Sequence, residues 1–347
     1  MPLSPTAPGP RDADERPALI LANLGTPAAP TPRAVRSFLR EFLSDRRVVE
    51  THPLLWRPVL EGIILRVRPR ASAAKYATVW RPGEETSRSG SPLMHYSRRQ
   101  CELLQQELGE SVQVRVAMRY GQPALRRVMG ELMEAGCRRI ALLPLYPQYA
   151  ASSAGTVVDE AARFILASRN QPELRTVRSF ETAPAYIEAL ATALEQHWRV
   201  HGRPDPAAGE RLLLSFHSIP QAMHDAGDPY RSECERTAQL LSRRLDLPDG
   251  LAQLTFQSVF GPAAWIGPAT IDTVGELGRA GCPRLDVICP GFVSDCLETL
   301  EEINQLNRET FTTAGGGSFH YIPWGNDSDG AIAALAQQAR KVLAGWI

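Results

Sequence analysis

The chain has 347 residues, 44% hydrophobic and 22% charged, which is the balance of a soluble globular protein with room for one large or two medium domains. Lys+Arg and Asp+Glu are equal at 38 each, which excludes the basic excess of a general nucleic-acid binder, and no apolar run approaches the ~18 residues of a membrane span. The six cysteines (Cys101, Cys137, Cys234, Cys282, Cys289, Cys296) include no C-x-x-C pair, which speaks against a zinc ribbon and for a reducing, cytoplasmic compartment.

Residues 1–16 are rich in Pro, Asp and Arg without an apolar core, and read as a disordered tail, not a signal peptide. PALILANLGTP (17–27) reads as a buried strand and turn, and Thr31–Leu43 has helical spacing. HPLLWRPVLEGIILRVRPR (52–70) combines Leu54, Leu55, Trp56, Val59, Leu60, Ile63, Ile64 and Leu65 with Arg57, Arg66, Arg68 and Arg70. That pattern suits a core helix with a basic face, a greasy lip around a flat ligand, or contact with an anionic membrane surface. PGEETSRSGSP (82–92) is a polar loop. Further helices are expected over 96–108, 123–135, 156–167 and 184–200, and strands over 112–118 and 140–145. RLLLSFHSIP (211–220) is again a strand that stops at a polar junction and Pro. After it come helices near 230–245, 270–280, 294–306 and 330–344, alternating with strands LTFQSVF, LDVICP and HYIPW.

The chain repeats itself. GELMEAGCRRI at Gly130 and GELGRAGCPRL at Gly275 agree at seven of eleven positions, an offset of 275 − 130 = 145, and the first strands align Asn23 with Phe216, an offset of 216 − 23 = 193. The first half therefore carries about 193 − 145 = 48 extra residues between its first two strands. Strands alternating with helices in two copies predict an α/β protein of two Rossmann-like domains. Each has a parallel four-stranded sheet flanked by helices, with an active-site cleft between the domains. The expected bounds are 17–183 (with the lip insertion at about 45–95), 184–325, and a C-terminal helix over 326–347.

The carboxyl ends of strands in such sheets are where ligands bind. His217 sits there as a candidate proton acceptor or metal ligand, or as a plain strand cap. On the helix opened by Ser294, Asp295, Glu298 and Glu302 fall at i, i+3 and i+7, one acidic face suited to a divalent cation or a proton relay. A neutral imidazole with carboxylates suits Fe2+. Loops rich in aromatics (Met118-Arg119-Tyr120, Tyr146-Pro147-Gln148-Tyr149, Gly261 to Trp265) suit a large flat apolar ligand. G-x-G-x-x-G, the P-loop and G-x-S-x-G are all missing, so nucleotide and hydrolase readings lack their motifs.

LLLSFHSIP with the downstream GDPY, together with NLGTP, MRY, YPQY, GPAAWIGP and SDCLETLEE in that order, resembles the ferrochelatase family from about Pro17 to Trp324. The resemblance implies a class II chelatase-like fold that inserts Fe2+, as substrate, into protoporphyrin IX. It makes His217 the acceptor of pyrrole protons or a contact to iron, places Glu298 across the macrocycle from it as a second catalytic and metal residue, and gives Asp295 and Glu302 to an acidic track for metal or protons. Leu24, Arg68, Tyr76, Ser91, Arg119, Tyr120, Tyr149 and Trp265 would contact the porphyrin. Leu306 departs from the family, many members of which continue the acidic stripe there. Leu24 stands where the coproporphyrin branch has Tyr, which favours protoporphyrin, and Ala151 stands where cluster-bearing members have Cys, so no iron–sulfur cluster and no tightly bound cofactor is expected. The resemblance further implies peripheral contact with the inner membrane surface and with the preceding haem-pathway oxidase. The alternatives are a coproporphyrin or cobalt chelatase of the same fold, or a porphyrin carrier without chemistry.

Overall fold

The computed structural model describes residues 14–81 and 90–347, so most of the polar loop expected over 82–92 lies outside the described residues, as do residues 1–13 of the expected tail. In chain order the elements are β1 (Ala18–Gly25), α1 (Pro32–Leu43), α2 (Pro53–Val59), α3 (Leu65–Val79), α4 (Pro92–Leu108), β2 (Gln113–Tyr120), α5 (Leu125–Glu134), β3 (Arg139–Pro144), α6 (Thr156–Ala167) and β4 (Glu173–Thr176). The second half continues with α7 (Pro184–His201), β5 (Arg211–His217), α8 (Gln221–Asp225), α9 (Tyr230–Arg244), β6 (Ala252–Gln257), α10 (Thr270–Arg279), β7 (Arg284–Ile288), α11 (Arg308–Thr313), β8 (Ser318–Ile322) and α12 (Asp329–Val342). Three stretches, Leu60–Ile64, Ala151–Gly155 and Glu298–Asn307, widen into π-helix with i→i+5 hydrogen bonding.

The described residues pack as two units. One comprises those through Tyr146, Ala150–Ser179 and Leu335–Ile347, and the other Pro147–Tyr149 with Phe180–Ala334. Each holds one parallel four-stranded sheet, in the orders β2-β1-β3-β4 and β6-β5-β7-β8. The central strands form because ALILA and LLLSF are unbroken apolar runs that can be covered on both faces, and Ala18–Ala22 and Leu212–Phe216 are buried. In the first unit Ile20, Ala22, Leu142 and Ile140 pack under Leu125, Met129 and Leu132 of α5, and in the second Leu213, Leu285 and Val287 pack under Val274 of α10 and Phe311 of α11.

The repeat read from the sequence is a repeat of structure. Gly136 after α5 and Gly281 after α10, 281 − 136 = 145 apart, both take positive φ (104° and 73°), the left-handed stop that glycine tolerates. Ala124, bridged by Met118, and Ala269, bridged by Phe256, stand at the same offset, 269 − 124 = 145.

Some expectations shift. The strand β4 (ELRT) was not expected, because it lacks an apolar run and stands at a sheet edge, largely unburied. The strand expected over LTFQSVF ends at Gln257, because Ser258 turns to φ 66°. Residues 14–16 are fixed against the first unit: Asp14 N–H donates to Ala135 O and Arg16 to Glu110 O. The 52–70 segment divides its apolar residues. Leu60 and Leu65 are buried and Trp56 packs on the same cluster, its indole N–H donating to Leu43 O at 2.7 Å, whereas Leu54, Leu55, Ile63 and Val67 are 77, 70, 58 and 68% exposed.

Candidate active site

His217 is the last residue of β5 and stands in register with Gln257, the last residue of β6. Its Nδ1 lies 2.5 Å from Ser218 O. A carbonyl only accepts, so Nδ1 carries the hydrogen and the neutral ring keeps its lone pair on Nε2. Ser218 cannot drift, because its N–H donates to Gln257 O and its hydroxyl to Ile266 O, both at 2.8 Å. A half-buried imidazole is thus held with one nitrogen committed and the other available as an acceptor.

The carboxylates come from the π-helical stretch. Glu302 accepts from Ser258 N–H at 2.6 Å and from Ser258 Oγ at 2.5 Å, which ties the left-handed turn after β6 to the helix. Burial raises the Glu302 carboxyl above its ordinary 4.5 and Glu298 adds to the rise, while the Ser258 bonds and the charge of His217 oppose it. That electrostatic link puts His217, Glu298 and Glu302 in one neighbourhood. Gln257, fully buried, clamps them. Its Nε2 donates to Glu298 O at 2.9 Å, and its Oε1 accepts from Ser215 Oγ at 2.9 Å. The Glu298 side chain is half-buried and hydrogen-bonds the Cys296 thiol, whose pKa burial has already pushed well up.

Asp295 departs from the expected acidic face. The helix starts at Leu297, so Asp295 lies in the preceding loop, and Ser294 is not its N-cap. The Asp295 carboxylate accepts from Tyr321 Oη at 2.5 Å, Thr299 Oγ1 at 2.8 Å and Asn326 Nδ2 at 2.7 Å. Three donors on a buried carboxylate make it the anchor of the loop. Glu298 and Glu302, one turn apart, remain as the acidic pair.

The expected porphyrin contacts divide by environment. In the first unit Leu24 is half-buried at the end of β1, its N–H donating to Tyr146 Oη at 2.8 Å. Arg119 ion-pairs with Asp45 and donates to Thr156 Oγ1 at 2.8 Å, and its guanidinium lies 4.5 Å from the Tyr120 ring centre. Tyr120 is wholly buried and donates to Asp45 at 3.0 Å. Burial pushes its phenol up, while Asp45 is held below its ordinary value by its hydrogen bonds and Arg119 in spite of burial. Tyr120 is thus packed against Arg119 and hydrogen-bonded to Asp45 and Thr156. Ser91, also buried, caps α4 by accepting from Met94 N–H at 3.2 Å. Arg68 and Tyr76 are half-buried on α3, with burial lowering the Arg68 pKa and the Tyr76 ring edge-on to Trp80. In the second unit Tyr149 N–H donates to Glu233 at 2.7 Å, and Trp265 tilts against Phe260 with its indole N–H on Phe260 O at 3.0 Å.

The family profile described as Ferrochelatase matches residues 16–343. The chain belongs to the ferrochelatase family. It is 50% identical over 337 residues to a protein of Aromatoleum aromaticum named Ferrochelatase, covering 96% of this chain and 89% of that one. It is 49% identical over 332 residues to a Ferrochelatase of Dechloromonas aromatica, covering 95% and 88%. Among solved structures, SirB from Bacillus subtilis with Fe3+ superposes with a TM-score of 0.52 at 15% identity, covering 74% of this chain and 92% of SirB, a likeness of fold. Within this ferrochelatase-family chain, two site residues lay outside the sequence reading: Gln257 and Ser258. The available signal was their position, since the strand ending at Gln257 runs beside the one ending at His217. Their polarity alone resembled any strand-to-loop junction.

Proposed function

We propose that the chain inserts Fe2+ into protoporphyrin IX at the carboxyl end of β5, with His217 taking the pyrrole protons and Glu298 and Glu302 facing it from the π-helical stretch. The observation that carries this is the fixed imidazole: Nδ1–H is spent on Ser218 O, so Nε2 is the basic atom. Each insertion breaks two pyrrole N–H bonds and forms iron–nitrogen bonds to the macrocycle, so the net yield is haem and two protons. His217 accepts one proton at a time at Nε2 and passes it on. Glu302, raised by burial, is a better proton acceptor near neutrality than an ordinary carboxylate, and so suits the next step outward. Glu298, half-buried beside it, offers negative charge to the incoming cation. Bending the ring exposes its N–H groups, so a site shaped to a saddled porphyrin lowers the barrier.

Leu24, Arg68, Arg119, Tyr76, Tyr149 and Trp265 supply the porphyrin contacts in this reading. Leu24, in place of the Tyr of the coproporphyrin branch, selects protoporphyrin. Ala151 leaves the loop without the cysteine of cluster-bearing members, so the enzyme works without an iron–sulfur cluster. No helix among the described residues is long and apolar enough to cross a membrane. The exposed Leu54, Leu55, Ile63 and Val67 beside exposed Arg57, Arg66 and Arg70 instead make a peripheral contact with an anionic membrane surface, from which an apolar substrate is drawn.

The test is anaerobic Fe2+ insertion by His217→Ala and Glu298→Gln. Losing a general base costs about a hundred- to ten-thousand-fold in rate. Both variants retaining the wild-type rate would remove the site assignment, and porphyrin binding without haem formation by the wild type would remove the reaction.

A further inference from the structure

Three of the chain's seven histidines gather on a part of the second unit that the chelatase reading does not use. His197 and His201 stand one turn apart on α7, an i, i+4 pair on one helix face. His320 comes from β8, where it pairs in register with Asp286 of β7. The three imidazoles are mutual neighbours, with ring centres 4.3 Å apart for His197–His201 and 4.9 Å for both His197–His320 and His201–His320. Ligand atoms of His197, His320 and Asp286 lie within 4.8 Å of one another, and the exposed His201 ring, beside both other imidazoles, would complete an all-imidazole set by turning its nitrogen toward them.

Asp286 explains why the histidines are held there. It is wholly buried and both oxygens are filled. Oδ1 accepts from Arg284 Nε at 2.9 Å and faces His320 Nδ1 at 3.0 Å, while Oδ2 accepts from Arg284 at 2.8 Å and from Trp198 Nε1 at 2.9 Å. A saturated carboxylate is a poor new ligand but a good orienter. It accepts the Nδ1 hydrogen of His320 and leaves Nε2 with its lone pair, the arrangement in which a histidine binds metal. His197 Nε2 is buried, 3.7 Å from Asp286 Oδ1 and without a hydrogen-bond partner. Unpaired buried polar atoms are rare and costly, and one among three imidazoles points to a missing ligand.

We propose that His197, His201 and His320, oriented by Asp286, form a binding site for one divalent transition-metal ion of the zinc class, separate from the β5 site. Arg284 neutralises Asp286, so the donors are imidazole nitrogens alone, which favours zinc-like ions over hard, oxygen-seeking Mg2+ or Ca2+.

The test uses the full chain carrying His217→Ala, Glu298→Gln and Glu302→Gln, which removes the imidazole and both carboxylates of the β5 site, and Co2+ as a visible probe. One equivalent of Co2+ with the absorption of a four-coordinate site is expected, competed by Zn2+ but not by Mg2+. In the same background, His201→Ala and His320→Gln should each weaken binding at least about tenfold, the scale on which even outer-shell losses act. His201 is exposed, so its variant keeps the fold, which circular dichroism and the metal-free Tm check. X-ray absorption of the Co2+-bound protein should show a nitrogen shell with imidazole scattering. Unchanged stoichiometry in both variants, or an oxygen-only shell, overturns the proposal, as does no binding at micromolar Co2+. None of these outcomes depends on iron insertion, so the site can fail while the chelatase reading stands.

Discussion

Replacing Leu54 and Leu55 by Ser should detach the protein from anionic vesicles without unfolding it. Both side chains are about three-quarters exposed (77 and 70%), so neither contributes much to the core, while Leu60, Leu65 and Trp56 of the same segment hold the lip in place. Fully burying a leucine is worth about 1.5–3 kcal/mol, and burying the exposed share recovers roughly 1–2 kcal/mol for each. The pair therefore accounts for about 2–4 kcal/mol of membrane affinity, or about 30- to 1,000-fold in the partition coefficient. The assay is co-sedimentation with phosphatidylglycerol-containing vesicles, with thermal melting as the control for folding. A Tm within about 2 °C of wild type and at least thirtyfold weaker partitioning is the expected pair of results. Equal partitioning of wild type and variant would refute the membrane lip. A collapsed Tm would refute the division of the segment into a buried and an exposed face.

Other outcomes follow from the site. Ser258→Ala removes the Oγ donor to Glu302 and should cost about 1.5–3 kcal/mol, read as a lower urea midpoint, because the bond is to a charged group. Ser258→Gly loses the same bond but is released from a left-handed backbone at φ 66°, so it should be the milder variant; the reverse order would remove the strain. Burial raises Glu302, so the protonated fold is favoured below 4.5 and the advantage is lost as pH climbs through the raised value. The Tm of Glu302→Gln relative to wild type should therefore rise from pH 4 to pH 8, and a falling difference would contradict the burial effect. Asp295→Asn should unsettle the loop by turning an amide donor toward donors, with near-normal metal affinity in any variant that folds. A hundredfold metal loss in a protein of wild-type Tm would return Asp295 to the metal track.

Most of the fold was legible because its strands are buried on both faces, which writes them as continuous apolar runs such as ALILA and LLLSF. The helices between them carry clear stops such as Gly136 and Gly281. Short polar β4 carries no such mark. At the site, residue types were readable and their roles less so. Spacing made Asp295 a member of the acidic face only if an α-helix ran from Ser294. The chain instead stays irregular to Leu297, where Tyr321, Thr299 and Asn326, distant or adjacent in sequence, claim the carboxylate. The hydrogen bond from Tyr120 to Asp45 had no mark in the sequence, because an aromatic at a strand end reads the same on a ligand wall and in a packed core.

The duplication also locates what the fold alone does not decide. The offset of 193 sets His217 opposite Leu24 (217 − 193 = 24), each near the carboxyl end of the central strand of its sheet. The offset of 145 sets Glu298 opposite Ser153 and Glu302 opposite Val157 (298 − 145 = 153, 302 − 145 = 157). Ser153 lies in Ala151–Gly155, which widens into π-helix as Glu298–Asn307 does. Strand end and widened helix are therefore common property of the two copies, and neither by itself makes a chelating site. What separates the copies is side-chain chemistry. The second supplies an imidazole with a free Nε2 and two carboxylates, one raised by burial, while the first supplies Leu, Ser and Val at the same places. In the proposed function, proton removal and cation attraction would thus draw on one copy, and the apolar Leu24 of the other would suit a surface for the macrocycle. The 48 extra residues that hold the exposed Leu54 and Leu55 are an addition of that same first copy, so under the proposed function each copy would depart from the shared plan toward a different substrate, iron in the second and porphyrin in the first.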